Sequence, residues 1–158
     1  SVLEKSIQNE AFTKFLILKI FKETLSADSF SADNITMLFS QLSGAQNHLD
    51  RFEKSPIWVK SLTELLNDSW NENPNLQDLA QVLQVHPITI SKHFPKYFGC
   101  TLGEYMRRIK INRSLSLIQS PDSNLTEIAF QCGFADQSHF IRTFKNQTGF
   151  LPKQFQKL

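Results

Sequence analysis

A cluster of hydrogen-bonding and cationic side chains lies late in the chain, at Gln137, Ser138, His139, Arg142 and Lys145. None is a nucleophile with a base beside it. Their chemistry is recognition: Arg142 has the reach for bidentate pairing with guanine, Gln137 can read adenine, and Lys145 suits phosphate. Ser138 points the same way. His139 leans toward the interior and fits either a donor role or a packing role. A second group, Ile88, Thr89, Ser91 and Lys92, holds the matching outward positions earlier in the chain, with Ile88 able to meet a thymine methyl. Elsewhere His48, Asp50, His86 and His93 form no metal or triad pattern with one another or with His139, and no glycine-rich phosphate loop is present. The reading is therefore no enzyme, no catalytic residue, no metal and no cofactor.

Short helices must hold these groups. From Asn124 to Gly149 the chain reads as a helix, a tight turn and a second helix. Asn124 caps the first, with Glu127 in a capping-box relation. Leu125, Ile128 and Cys132 line one face, Ala129 permits close crossing, and Gly133 supplies the left-handed stop. Asp136 caps the second helix, whose Phe140 and Phe144 face inward, opposite Arg142 and Lys145.

The unit occurs twice. An offset of 49 residues lays Leu76, Leu79, Ala80, Leu83 and Val85 over Leu125, Ile128, Ala129, Cys132 and Phe134. After the turn the offset is 50, and Ile90, Phe94, Gly99 and Tyr105 meet Phe140, Phe144, Gly149 and Phe155. The scaffold positions match while the outward ones differ, as two readers of different base sequences require. Two units are thus expected at about 75–99 and 124–149. In the first, Asn75 is the cap and Pro87 sits in the first turn of the second helix. Pro95 is expected to kink that helix or end it near Phe94. Gly103 to Gln119 reads as the connecting helix, closed by Ser120-Pro121-Asp122-Ser123. Its Met106, Ile109, Leu115 and Ile118 point inward, and Arg107, Arg108, Lys110 and Arg113 offer phosphate contacts or plain solubility. Its length of ~25 Å can hold two reading helices near the ~34 Å repeat of the major groove.

Residues 73–157 resemble the DNA-binding domain of the AraC/XylS transcriptional regulators. The resemblance is carried by Ile128-Ala-Phe-Gln-Cys-Gly-Phe-Ala-Asp-Gln-Ser-His-Phe-Ile-Arg-Thr-Phe-Lys145 with Gly149 and Pro152. Val85-His-Pro-Ile-Thr-Ile-Ser-Lys-His-Phe94 and Phe98-Gly-Cys-Thr-Leu-Gly-Glu-Tyr105 match more loosely. It implies two helix-turn-helix units on a long linker helix, double-stranded DNA as the partner, and contacts at Gln137, Ser138 and Arg142. It also implies activation of transcription through RNA polymerase. Ala135 stands where the family often has a hydroxyl cap, which leaves the capping to Asp136. The β-barrel effector pocket common in the family has no counterpart in the sequence.

The charge distribution agrees. Residues 1–75 hold 7 Lys/Arg against 10 Asp/Glu, and residues 76–158 hold 10 against 5, so the half with the repeat is the basic one. Cys100 and Cys132 read as buried thiols in a reducing cytosol. With no signal peptide and no bilayer-length apolar run, the expected location is cytoplasmic. Ser1 in place of an initiator Met suggests a processed chain or a fragment.

The full reading is an all-α protein with two helix-turn-helix units joined by a linker helix. Residues 1–55 form a preceding helical region and 56–158 the DNA-binding domain. Residues 3–25 form a helix apolar on several sides, suited to homodimerisation or to a three-helix bundle core. A helix from about Ala32 to Leu42, ended by Ser43-Gly44, follows; residues 44–54 are loop or a weak helix through Leu49 and Phe52. Trp58, Leu62, Leu65, Leu66 and Trp70 make the stripe of the next helix, opened by Pro56. The competing reading is a helical protein-interaction module in which DNA binding is weak or lost.

Overall fold

The computed structural model describes residues 2–26, 28–120 and 124–158, without the side chains of 2–9 and 44–53. Of the stretch expected to close the linker, Ser120 is described and Pro121, Asp122 and Ser123 lie outside the described residues, as do the side chains of His48, Leu49, Asp50 and Phe52.

Nine helices and no strand are present among the described residues: α1 Val2–Ser26, α2 Ser31–Glu53, α3 Ile57–Asp68, α4 Leu76–Leu83, α5 Pro87–Phe98, α6 Leu102–Ile118, α7 Leu125–Gln131, α8 Gln137–Thr148 and α9 Pro152–Phe155. The all-α architecture is as expected. Two of the expected bounds are not. Helix α2 runs through Ser43 and Gly44 to Glu53. The Ser43 hydroxyl donates back to the Phe39 carbonyl at 3.3 Å, within the helix, and a helical glycine costs only about 1 kcal/mol. Helix α5 likewise continues past Pro95 to Phe98. The ring forfeits one backbone bond, but continuing the helix stacks Phe98 on Phe94 at 3.9 Å and brings both edge-on to Tyr105, at 5.1 and 5.6 Å. That buried aromatic cluster offsets the loss.

Two cores follow from the duplication. The first gathers Val59, Leu62 and Leu66 of α3, Leu79 and Ala80 of α4, Ile90, Phe94 and Phe98 of α5, and Tyr105 and Met106 at the start of α6. The second gathers Ile111 and Ile118 of α6, Ile128, Ala129 and Cys132 around α7, and Phe134, Phe140 and Phe144 around α8. Ala11 and Phe15 of α1 belong to this second core. Helix α1 therefore lies against α6 and α8, with Phe12 under the Arg108 guanidinium at 5.0 Å and Lys22 over the Phe150 ring at 5.6 Å. Its apolar excess is only partly absorbed. Ile17, Phe21 and Leu25, at four-residue spacing, stay exposed.

Candidate nucleic-acid interface

The two units share their backbone bonding, not only their pattern. At the end of α4 the Val85 N–H donates to the Ala80 carbonyl at 3.0 Å; at the end of α7 the Phe134 N–H donates to Ala129 at 2.9 Å. The residue between is left-handed in both, Gln84 with φ 53° and Gly133 with φ 70°. Helices α5 and α8 end on left-handed Gly99 and Gly149, whose N–H groups reach the Pro95 and Lys145 carbonyls at 2.9 and 2.8 Å. Phe94 then meets Tyr105, and Phe144 meets Phe155, each at 5.6 Å and 72°. Identical aromatic geometry at equivalent positions fixes α5 and α8 as equivalent helices.

Their starts are capped by different chemistry. Asp136 accepts from the His139 N–H at 2.7 Å, as expected. For α5 the cap is His86, whose Nδ1 accepts from the Ile88 N–H at 3.2 Å. Sequence reasoning missed it because histidine is not a usual cap. Asn75 caps α4 through the Asp78 N–H at 2.9 Å. Asn124 caps α7 through Thr126 rather than Glu127; Glu127 instead accepts from the Asn124 side-chain amide at 3.3 Å.

Ile88 and Lys92 on α5, and Ser138 and Arg142 on α8, hold equivalent positions and are all exposed. Ser91 and Lys145 are exposed beside them, while Thr89 and Gln137 are half-buried. His139 is exposed, with its ring edge-on to Phe134 at 5.3 Å, so it combines an open nitrogen with a packing contact. Lys96, one turn beyond Lys92, is a further exposed cation on the α5 face that sequence reasoning passed over; the i+4 spacing was the available signal.

The linker's cations divide differently from expectation. Lys110 is buried at 3% exposure and its pKa is lowered by burial, so it is withdrawn from the phosphate-facing set. Arg108 is committed to Phe12, and Arg113 lies 5.8 Å from the Trp70 ring. Arg107 remains exposed and lines a cleft of about 310 Å³ with Asn73, Gly103, Lys110, Phe134 and His139. The expected inward set holds and grows: Met106 and Ile118 are buried, Ile109 and Leu115 pack half-buried against the first and second cores, and Tyr105, Ile111 and Ser114 are buried besides.

Both thiols are buried and unpaired, with Cys100 pushed up by burial and Cys132 pushed up to about 11 by the same cause. Neither supplies a thiolate at neutral pH. Among the described residues there is no group of three or more His, Cys, Asp and Glu placed to hold a metal ion, and no helix is long and apolar enough to cross a membrane.

A family model described as "Helix-turn-helix domain" matches residues 79–158. The HTH-type transcriptional activator RhaS of Escherichia fergusonii is 26% identical over 145 residues, covering 90% of this chain. The chain spans 52% of that relative, about half its length. Among solved structures, an AraC-type transcriptional regulator from Chromobacterium violaceum is similar with a TM-score of 0.58 and 22% identity, over 63% of this chain and 89% of its own. The DNA-binding domain of AdpA, crystallised with a target DNA, is similar with a TM-score of 0.57 and 17% identity, over 65% of this chain and 92% of its own.

Proposed function

The chain belongs to the AraC/XylS family of helix-turn-helix proteins, and we propose that it is a sequence-specific double-stranded-DNA binder that regulates transcription, with α5 and α8 reading adjacent segments of the major groove. One observation carries the reading: two units with the same turn bonds and the same aromatic geometry present unlike outer faces. A shared scaffold with Ile88 and Lys92 on one copy, and Ser138 and Arg142 on the other, suits two different sets of base edges. Arg142 pairs with guanine and half-buried Gln137 reads adenine from the first turn of α8. Ile88 touches a thymine methyl, while Thr89, Ser91 and Ser138 offer hydroxyls. Lys92, Lys145 and His139 meet phosphate. The relative RhaS is named a transcriptional activator, which favours activation; contact with RNA polymerase is part of the same proposal.

Selection from a random duplex pool, repeated at two salt concentrations, tests this. A two-part site should emerge, with affinity falling steeply as salt rises. If no sequence is enriched and binding ignores salt, the helical interaction module replaces it.

Dimerisation through residues 3–25 belongs to the same proposal. Ile17, Phe21 and Leu25 expose 54%, 43% and 56% of their surface along one stripe of α1, the arrangement a second copy's α1 would cover. Ile17→Glu combined with Leu25→Glu should convert a dimer to a monomer in sedimentation at micromolar concentration, with helicity unchanged. A wild-type protein that is already monomeric there removes the dimer.

A further inference from the structure

Two readers on one connector are useful only if the angle between them is set, and a single helix crossing from one small core to another is a weak way to set it. The structure has two further attachments. One is broad: α2 touches α5 and packs on α1, which lies against α8. The other is local and polar. Helix α3 contributes Leu62 and Leu66 to the first core, yet Trp70, just past its end, packs on the second. The chain then passes so close to the second unit's turn that a Cβ on Gly133 would lie 1.8 Å from the Asn71 carbonyl oxygen. At this meeting point sits Lys110. Its Nζ donates to Asn73 Oδ1 at 2.7 Å and to the Gly133 carbonyl at 2.9 Å, and lies 5.8 Å from the Phe134 ring centre. Asn73 precedes the first unit, Gly133 is the turn of the second, and Lys110 is midway along the linker. Three segments distant in sequence converge on one ammonium.

We infer that Lys110 is a positioning residue that latches the second helix-turn-helix unit to the segment preceding the first, fixing the rotational phase between α5 and α8. Burying an ammonium is expensive, and apolar side chains would have filled the volume more cheaply. What the ammonium supplies is direction: its N–H groups demand acceptors at fixed places, and one of those acceptors is the backbone of the turn that aims α8. Each unit keeps its own apolar core without the latch. Its removal should therefore leave both readers folded and, with only the apolar packing of Trp70 and of α1 and α2 left beside the linker, loosen the angle between them.

The inference rests on the DNA-reading proposal. Its signature is a dependence on spacing, because each base pair inserted between half-sites turns the second by ~35° and shifts it by ~3.4 Å. The full chain and its Lys110→Met variant are titrated with the selected site and with versions having one or two base pairs added or removed between the halves. Wild type should lose about tenfold or more for one base pair. Lys110→Met should bind the best spacing about tenfold more weakly and vary by less than about threefold across the set, with either half-site alone bound as by wild type. Lys110→Arg, which keeps the donors, should restore the sharp profile.

An unchanged spacing profile in a folded Lys110→Met variant overturns the latch. Should that variant not fold, Asn73→Ala, which removes one exposed acceptor, must broaden the profile in the same direction, and an unchanged profile there is equally fatal. Residual dipolar couplings report without DNA. Wild type should fit one alignment tensor across both units and the latch variants two; a single tensor in the variants refutes the latch. Failure of wild type to enrich any duplex would sink the DNA reading and leave this measurement standing.

Discussion

Gly133→Ala should lower stability by about 2–5 kcal/mol, while Gln84→Gly, at the equivalent position of the other unit, should raise it by about 0.5–1 kcal/mol. The two residues occupy the same left-handed turn, at φ 70° and 53°, so the backbone requirement is shared. At Gly133 two penalties add. A Cβ in the left-handed region is strained, and this one would sit 1.8 Å from the Asn71 carbonyl oxygen and 3.0 Å from Lys110 Nζ. Backbone cannot step aside as a flexible side-chain tip can, so the turn and residues 70–73 must part. At Gln84 the strain is already present, and the side chain is exposed. Glycine there relieves the turn and gives back part of the gain as lost chain entropy. Urea unfolding of the three proteins measures both signs. A Gly133→Ala protein as stable as wild type would mean that the second unit does not sit against residues 70–73 as described.

That pair also marks how far sequence could go. The turn was legible because Gly133 is the residue type a left-handed stop prefers. Its twin was legible only through the repeat, since nothing about glutamine announces a positive φ. Asn75, Asn124 and Asp136 were legible as caps, and the inward Phe140 and Phe144 by their spacing. Contacts that cross between elements were not. Lys110 is four residues from Met106, which reads as inward, and from Ser114, which the structure buries, yet its charge suggested the surface. Only the arrival of Asn73 and the Gly133 carbonyl makes its burial tolerable, and neither is near it in sequence. Thr101 and Glu104, which form a capping box at the start of α6, were within reach and overlooked. The apolar excess of α1 was visible, but periodicity does not say that Ala11 and Phe15 go into the core behind α8. Pro95 was read by its local penalty, and the aromatic cluster that outweighs that penalty includes Tyr105, beyond the end of α5.

Arg142→Ala should cost about 1–3 kcal/mol on the selected site and relax the base preference at one position, whereas Lys145→Ala should weaken all sequences alike and reduce the salt slope by about one. The contrast follows from where each stands on α8. Arg142 is exposed one turn beyond Ser138, on the face opposite buried Phe140 and Phe144, and its planar fork can satisfy both acceptors of a guanine edge. Lys145 lies in the last turn of α8, where the Gly149 N–H closes the helix on the Lys145 carbonyl at 2.8 Å. A recognition helix reads bases with its N-terminal part, so a cation at the far end meets the phosphates flanking the groove. Phosphates carry no sequence, and an ammonium there contributes through counterion release alone. Neither change disturbs the fold, because both side chains are exposed, and unchanged unfolding curves would establish that the losses belong to the interface. Affinity for the selected site and for a scrambled duplex, each at several salt concentrations, separates the two effects. If Arg142→Ala binds both duplexes as wild type does at every salt concentration, the outward face of α8 is not the reading face.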